Sequence, residues 1–182
     1  MPIKRLSEQL ANKIAAGEVI ERPGSVIKEL LENALDAEAT SIVVEVKRGG
    51  IELIRVTDNG IGIACDELGL VFERHATSKL SRIEDLDSLQ TLGFRGEALS
   101  SISVVSRVKL TTREITSDIG SQIVLDWGGP GQYSKKGCSV GTTIEICDLF
   151  QNVPARRKFL KSHRSEVNTI THAVSRIALS FP

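Results

Sequence analysis

Hydrophobic positions along the chain change period several times. Leu6, Leu10 and Ile14 recur at helical spacing, and Ser7 stands where that first helix is expected to begin. Gly17 is expected to loosen it, and Arg22-Pro23-Gly24 to separate it from the next. The second helix is predicted from Pro23 or Ser25 to Ala37, with Val26, Ile27, Leu30, Leu31, Ala34 and Leu35 on one broad apolar arc. Alternation then replaces the helical period. In SIVVEVK (41–47) Ile42, Val44 and Val46 share a face, and IELIRVTD (51–58) alternates too. Arg48-Gly49-Gly50 between them predicts a hairpin turn. Residues 59–96 are weakly periodic and punctuated by glycines, as a functional loop or lid would be. Beyond them, 96–106 predicts a helix, 104–113 and 121–127 predict strands, 128–141 a hairpin or loop, and 142–150 a further strand. Pro154 begins another helix, and one more is in progress at Pro182. Helices first, then mostly antiparallel strands with helices between, predict an α+β fold: one sheet covered on one face.

Composition narrows this only modestly. The 182 residues, 41% hydrophobic and 25% charged, suit one compact domain with a real core, or one domain plus part of another. Aromatics are 4%, so Leu, Ile and Val must do the packing. Basic and acidic residues number 23 each, so no global field draws the chain to nucleic acid or membrane, and any such contact needs a local patch. Cys65, Cys138 and Cys147 show no metal-ligand spacing and read as free thiols in a reducing compartment. Neither a signal peptide nor a membrane span is visible, so a soluble, cytoplasmic protein is expected.

Three constellations carry candidate chemistry. Glu29, Asn33 and Asp36 fall together at one border of the apolar arc of the second helix, where a core-packed helix meets a groove rim. A carboxylate there can take a proton from water, and an amide oxygen one turn away can bind Mg²⁺. A solvated helix edge would look the same. In DNGIG (58–62), alternation turns Asp58 toward the apolar side with Ile54 and Val56, which is costly without a partner. A nucleobase amine is one such partner. Gly60 and Gly62 would leave room for a flat ring and permit tight turns, although Asp-Asn-Gly is also an ordinary turn. ATSKL (76–80) and GFRGEALSSI (93–102) offer Thr77, Ser78, Lys79 and Arg95, with Gly93 and Gly96 bracketing a helix start suited to phosphate. Neither a GxxxxGK[ST] loop nor a complete GxGxxG occurs. Gly141-Thr142-Thr143 alone is any strand start.

Taken in order, E-x-x-x-N, D-x-G-x-G, the glycine-rich lid and G-T resemble the four motifs of the GHKL ATPases. LANKIAAGEVIERP, ELLENALDA, RHATSK, LGFRGEALSSI and NVPARRKFL resemble, more narrowly, the bacterial MutL family of DNA mismatch-repair proteins. The resemblance implies the Bergerat fold of GHKL ATPases, a mixed, mostly antiparallel sheet with helices on one face. It implies ATP and Mg²⁺ as cofactors, with Glu29 as the general base and Asn33 holding the metal. Asp58 would accept from the adenine amine, beside Gly60 and Gly62. Thr77, Ser78, Lys79, Gly93, Phe94, Arg95, Gly96, Glu97, Ala98 and Leu99 would wrap the phosphates, and Thr142 and Thr143 would lie near Asp58. Asp36 is left a structural role.

On the same resemblance, residues 1–182 form an N-terminal ATPase domain, with 59–100 as its ATP lid. Residues 1–20 would contact a second copy, so that ATP binding and slow hydrolysis drive dimerisation and coordinate a MutS-type mismatch-recognition partner. The chain is expected to be a fragment that binds and hydrolyses ATP weakly by itself. A non-hydrolysing, nucleotide-responsive clamp is the alternative, and a topoisomerase-type ATPase fits RHATSK and GFRGEALSSI less well. DNA contact is expected from Arg157, Lys161 and Arg164, placed on one stripe of the helix that starts at Pro154. No membrane contact is expected.

Overall fold

The computed structural model describes residues 8–73, 76 and 97–181, without the side chains of 8–12 and 18. Six strands form one sheet: β1 (Ile42–Lys47), β2 (Leu53–Asp58), β3 (Arg107–Arg113), β4 (Gly120–Asp126), β5 (Gln132–Lys136) and β6 (Gly141–Cys147). Their order is β1-β2-β6-β3-β4-β5, and every neighbouring pair is antiparallel. The helices are α1 (Glu8–Val19), α2 (Pro23–Asp36), α3 (Ala98–Val105), α4 (Pro154–Phe159) and α5 (His163–Ser180).

Strand alternation sends alternate side chains to opposite faces, and the register turns this into rows that cross the sheet. On the covered face, Ile54, Ile146, Val108 and Leu125 make one row, and Val56, Ile144, Leu110 and Ile123 the next. All eight are buried. Above them α2 packs on β2 and α5, while α3 packs on β3, β4 and α1. Ile27, Leu30 and Ile102 complete a core that is almost wholly aliphatic, with Phe150 its one large ring. The α+β expectation of a sheet covered on one face is met.

Several local expectations change. The first helix continues through Gly17 to Val19, and Ile14 is half-exposed; among the described side chains there, Ala16, Gly17 and Ile20 are buried. Gly17 serves close approach: a Cβ there would meet the Arg156 guanidinium, which also donates to the Ile20 carbonyl at 3.2 Å. The glycine-rich stretch 128–141 contains an edge strand, β5. The strand expected over 142–150 ends at Cys147, where Asp148 and Phe150 take positive φ.

The last helix pair overturns the basic stripe. Leu160 is extended (φ −66°, ψ 143°) and ends α4 after six residues. Ser162 then caps α5, its side chain accepting from the Ser165 N–H, and the buried Glu166 carboxylate accepts from the Lys161 N–H at 3.0 Å. Arg157 therefore lies in α4, Lys161 in the link and Arg164 in α5. They share no helical stripe.

Candidate nucleotide site

The covered face changes character at one end. One row beyond Val56 and Ile144, the register places Asp58, Thr142, Thr112 and Ser121 side by side on β2, β6, β3 and β4. Four strands thus run from aliphatic to polar at the same edge of the core. Burial makes this row demanding: Thr112 is 1% exposed and Thr142 8%, and buried polar groups need partners.

Asp58 is partly satisfied. Its Oδ1 accepts from the Gly60 N–H at 2.9 Å and the Thr142 N–H at 3.2 Å. No hydrogen bond to Oδ2 occurs among the described residues. Burial pushes the carboxyl above its ordinary value of 3.8, and the two backbone N–H groups only partly oppose that shift. The arrangement holds one carboxylate oxygen in place and leaves the other able to accept.

The turn after β2 is tied down from three sides. Asn59 accepts from the Thr40 and Ser41 N–H groups, each at 2.9 Å, and donates to the Thr40 hydroxyl at 2.9 Å. The Ile61 N–H donates to the Ala37 carbonyl at 3.0 Å, which docks the turn on the end of α2. The Ile63 N–H donates to the Thr112 hydroxyl at 2.9 Å. Gly60 and Gly62, expected to leave room for a ring, have a further reason to be glycine. A Cβ on Gly60 would stand 2.5 Å from the Ala37 carbonyl oxygen, and one on Gly62, at φ +77°, would run into the Arg113 carbonyl. These glycines let backbones approach one another.

On α2, Val26, Ile27, Leu30, Leu31 and Ala34 are buried, while Glu29, Asn33 and Asp36 are half-buried at the border, as the period predicts. Glu32 differs from Glu29: it is buried and paired with Lys28 at 3.0 Å. Because the Asp58 turn docks at Ala37, the acidic end of β2 and the border of α2 belong to one neighbourhood. Thr142 is brought to Asp58, but Thr143 is not: its hydroxyl pairs with that of Thr57 at 3.1 Å on the opposite face of the sheet. Glu97 precedes α3, Ala98 and Leu99 form its first turn, and Leu99 packs against the core. Thr77, Ser78, Lys79, Gly93, Phe94, Arg95 and Gly96 lie outside the described residues, as does most of the expected lid.

Asn59, Thr112 and Ser121 were missed by sequence reasoning. For Thr112 a signal existed, since Val108, Leu110 and Thr112 alternate just as Ile54, Val56 and Asp58 do. A separate recess of about 490 Å³ gathers Arg48, Arg157, Lys161 and His163 with Glu52 and Asp148. Another, of about 300 Å³, lies near Phe72, Val104 and Tyr133. Neither includes Asp58. Among the described residues no three His, Cys, Asp or Glu side chains cluster as a metal cage. No helix there is long and apolar enough to cross a membrane. The three cysteines are free.

Comparison with known proteins agrees with this geometry. The model of the histidine kinase-, DNA gyrase B-, and HSP90-like ATPase family matches residues 21–145, a span that includes α2, β2 and the start of β6. The chain belongs to this ATPase family. Within the family it is similar along its whole length to proteins named DNA mismatch repair protein MutL. It is 52% identical over 182 residues to that of Xanthomonas oryzae pv. oryzae (strain PXO99A), covering 100% of this chain. To that of Pasteurella multocida (strain Pm70) it is 54% identical over 182 residues, covering 99% of this chain. The chain spans 29% of the length of each. The solved structure of the Aquifex aeolicus MutL ATPase domain complexed with ADP is 38% identical, with a TM-score of 0.67 over 88% of this chain and 56% of that one.

Proposed function

We propose that this chain is the ATP-binding part of a MutL-type mismatch-repair protein and that it hydrolyses ATP slowly. The observation that carries the assignment is the carboxylate of Asp58, held at the polar end of the covered face by one oxygen, with the other open to a donor among the described residues. An adenine amine supplies the missing donor. Membership of an ATPase family, and a MutL neighbour whose structure holds ADP, support the same ligand class.

Glu29, half-buried at the rim, is the group that would orient water against the terminal phosphate and take its proton. Asn33, one turn on, offers a hard amide oxygen. Without an acidic cage among the described residues, Mg²⁺ would arrive with the nucleotide and keep phosphate and water ligands, which suits one protein oxygen. Held there by Asn33, the ion would supply positive charge to offset that of the phosphates. Thr77, Ser78, Lys79, Gly93, Phe94, Arg95, Gly96, Glu97, Ala98 and Leu99 remain the proposed phosphate wrap. Nucleotide binding would order that lid and draw two copies together through the N-terminal segment, coordinating a MutS-type partner. DNA contact is assigned to the recess that brings Arg157 and Lys161 together, with Arg164 a separate candidate.

The test is Mg²⁺-dependent binding and turnover of ATP by wild type, Glu29→Ala and Asn33→Ala. Glu29→Ala should retain binding and lose turnover by roughly 10²–10⁴-fold, the usual range for a general base. Asn33→Ala should weaken Mg²⁺-ATP binding itself. Binding by wild type without any turnover would favour the non-hydrolysing clamp, and no nucleotide binding would defeat both.

A further inference from the structure

The hydrogen bonds around Thr112 allow only one arrangement of protons. Its Oγ1 lies 2.9 Å from the Ile63 N–H, 3.1 Å from the Gly141 carbonyl oxygen and 2.9 Å from the Thr142 Oγ1. An amide N–H can only donate and a carbonyl can only accept. A hydroxyl has one hydrogen and two lone pairs. Thr112 therefore spends its hydrogen on Gly141 and one lone pair on Ile63, so its second lone pair must receive the hydrogen of Thr142. All three contacts are satisfied in no other way, and Thr112, at 1% exposed, has no water to substitute.

This fixes what Thr142 presents. Its strand lies between β2 and β3, so Asp58 is on one side of it and Thr112 on the other. With its hydrogen directed at Thr112, the Thr142 oxygen turns only lone pairs toward the Asp58 side. Asp58 is itself an acceptor there. Asp58 and Thr142 thus both present acceptors to this end of the cleft, one charged and one neutral.

We propose that Thr112 is a positioning residue for base selection: by holding Thr142 as an acceptor beside Asp58, it makes the site favour a purine bearing an exocyclic amine over one bearing a keto oxygen. The inference rests on the assignment of the adenine end to Asp58 and goes beyond it. At the 6-position an amine brings hydrogens to both acceptors, directly or through one water, whereas a keto oxygen brings a lone pair against each and leaves the edge's one hydrogen on N1, away from that position. The same hydroxyl also anchors the turn after Asp58 through Ile63, so the two roles must be separated by experiment.

The experiment measures the affinity of this chain for the β,γ-imido analogues of ATP and ITP, which differ in the 6-substituent and the hydrogen on N1, with thermal unfolding followed in parallel. Wild type should prefer the ATP analogue. Thr112→Val keeps the shape, removes the acceptor and frees the Thr142 hydrogen. It should reduce the ATP-to-ITP preference several-fold, up to about tenfold, as expected for one hydrogen bond. Thr112→Ser should restore it. Because Thr112→Val also strands the Ile63 N–H, Thr142→Val serves as a second variant. It leaves both Thr112 backbone bonds intact and should lower the preference similarly. An unchanged preference in Thr142→Val, or in a folded Thr112→Val, overturns the proposal, as does failure of Thr112→Ser to restore it. A wild type that binds both analogues equally overturns it while leaving nucleotide binding intact. A wild type that binds neither removes the underlying assignment instead.

Discussion

Rows of polar side chains cross this sheet on both faces, and two of them differ sharply. On the open face Glu45, Arg55, Glu145 and Lys109 stand on β1, β2, β6 and β3, linked at 2.7, 3.6 and 2.9 Å. On the covered face Asp58, Thr142, Thr112 and Ser121 make another row, three residues nearer the sheet's end along each shared strand. The open row alternates in charge and looks the stronger of the two. Water changes that ranking, because it solvates each ion whether or not the neighbour is there, so the pairs add little. In the covered row Thr112 and Thr142 are buried and have no such substitute, whereas Asp58 at its end is half-buried. Each proton between the two threonines must be placed, and the second oxygen of Asp58 stays open to a ligand at the row's wetter end. Polar groups on the wet face tune; on the dry face they specify.

Ile146 and Glu145 are neighbours on β6 that point to these two faces, which makes them the sharpest test of that difference. Ile146→Ala removes a side chain that is 0% exposed, between Ile54 and Val108. It should cost about 2–5 kcal/mol of stability, measured by chemical denaturation. A cost below about 1 kcal/mol would mean that the sheet relaxes around the gap and that its rows are not rigidly set.

Asp58 gives the next effect and has an unusual sign. Its carboxyl is pushed above 3.8 by burial. Between 3.8 and that raised value the folded chain keeps a proton that the unfolded chain has released. Stability from this group is therefore greatest at the acid end of the window and is lost as pH rises through the folded pKa. Nucleotide affinity should run the other way, because the amine needs the ionised carboxylate: it should fall as pH drops through the same value. Asp58→Asn should remove both trends. Its amide oxygen stays with the Gly60 and Thr142 N–H groups and its NH₂ meets the amine, so affinity should fall roughly 10–100-fold. Calorimetric titration across acid pH checks both. Parallel trends in stability and affinity would show that another group controls binding.

How much of this was legible in the sequence depends on whether a feature lies within one element or between elements. The border position of Glu29 and Asn33, and the inward turn of Asp58, follow from the period of a single helix or strand, and the structure agrees with both placements. The row that joins Asp58 to Thr112 exists only through register across β2, β6 and β3, which no single-strand pattern contains. Gly17, Gly60 and Gly62 each mark a place where another part of the chain comes close, a second reason for glycine that the sequence does not display. The basic stripe failed for a related reason. Helical periodicity continued through Leu160, but Ser162 and the buried Glu166 offered the backbone a new helix start, and local capping won over spacing.

The smallest expected effect lies in the open row. Glu145→Ala removes the shared acid between Arg55 and Lys109, whose side chains are 35% and 41% exposed. Glu45 still hydrogen-bonds Arg55 at 2.7 Å, so only Lys109 loses its close partner within this row. Both cations remain solvated, and the loss should be no more than about 1 kcal/mol, shrinking further in high salt. Nucleotide affinity should not move, since Glu145 points away from the Asp58 side. A loss as large as that of Ile146→Ala would mean the open face is itself desolvated, by a second copy or a segment beyond this chain, and the contrast between wet and dry rows would then disappear. Denaturation at low and high salt, with the two neighbouring variants side by side, separates these outcomes.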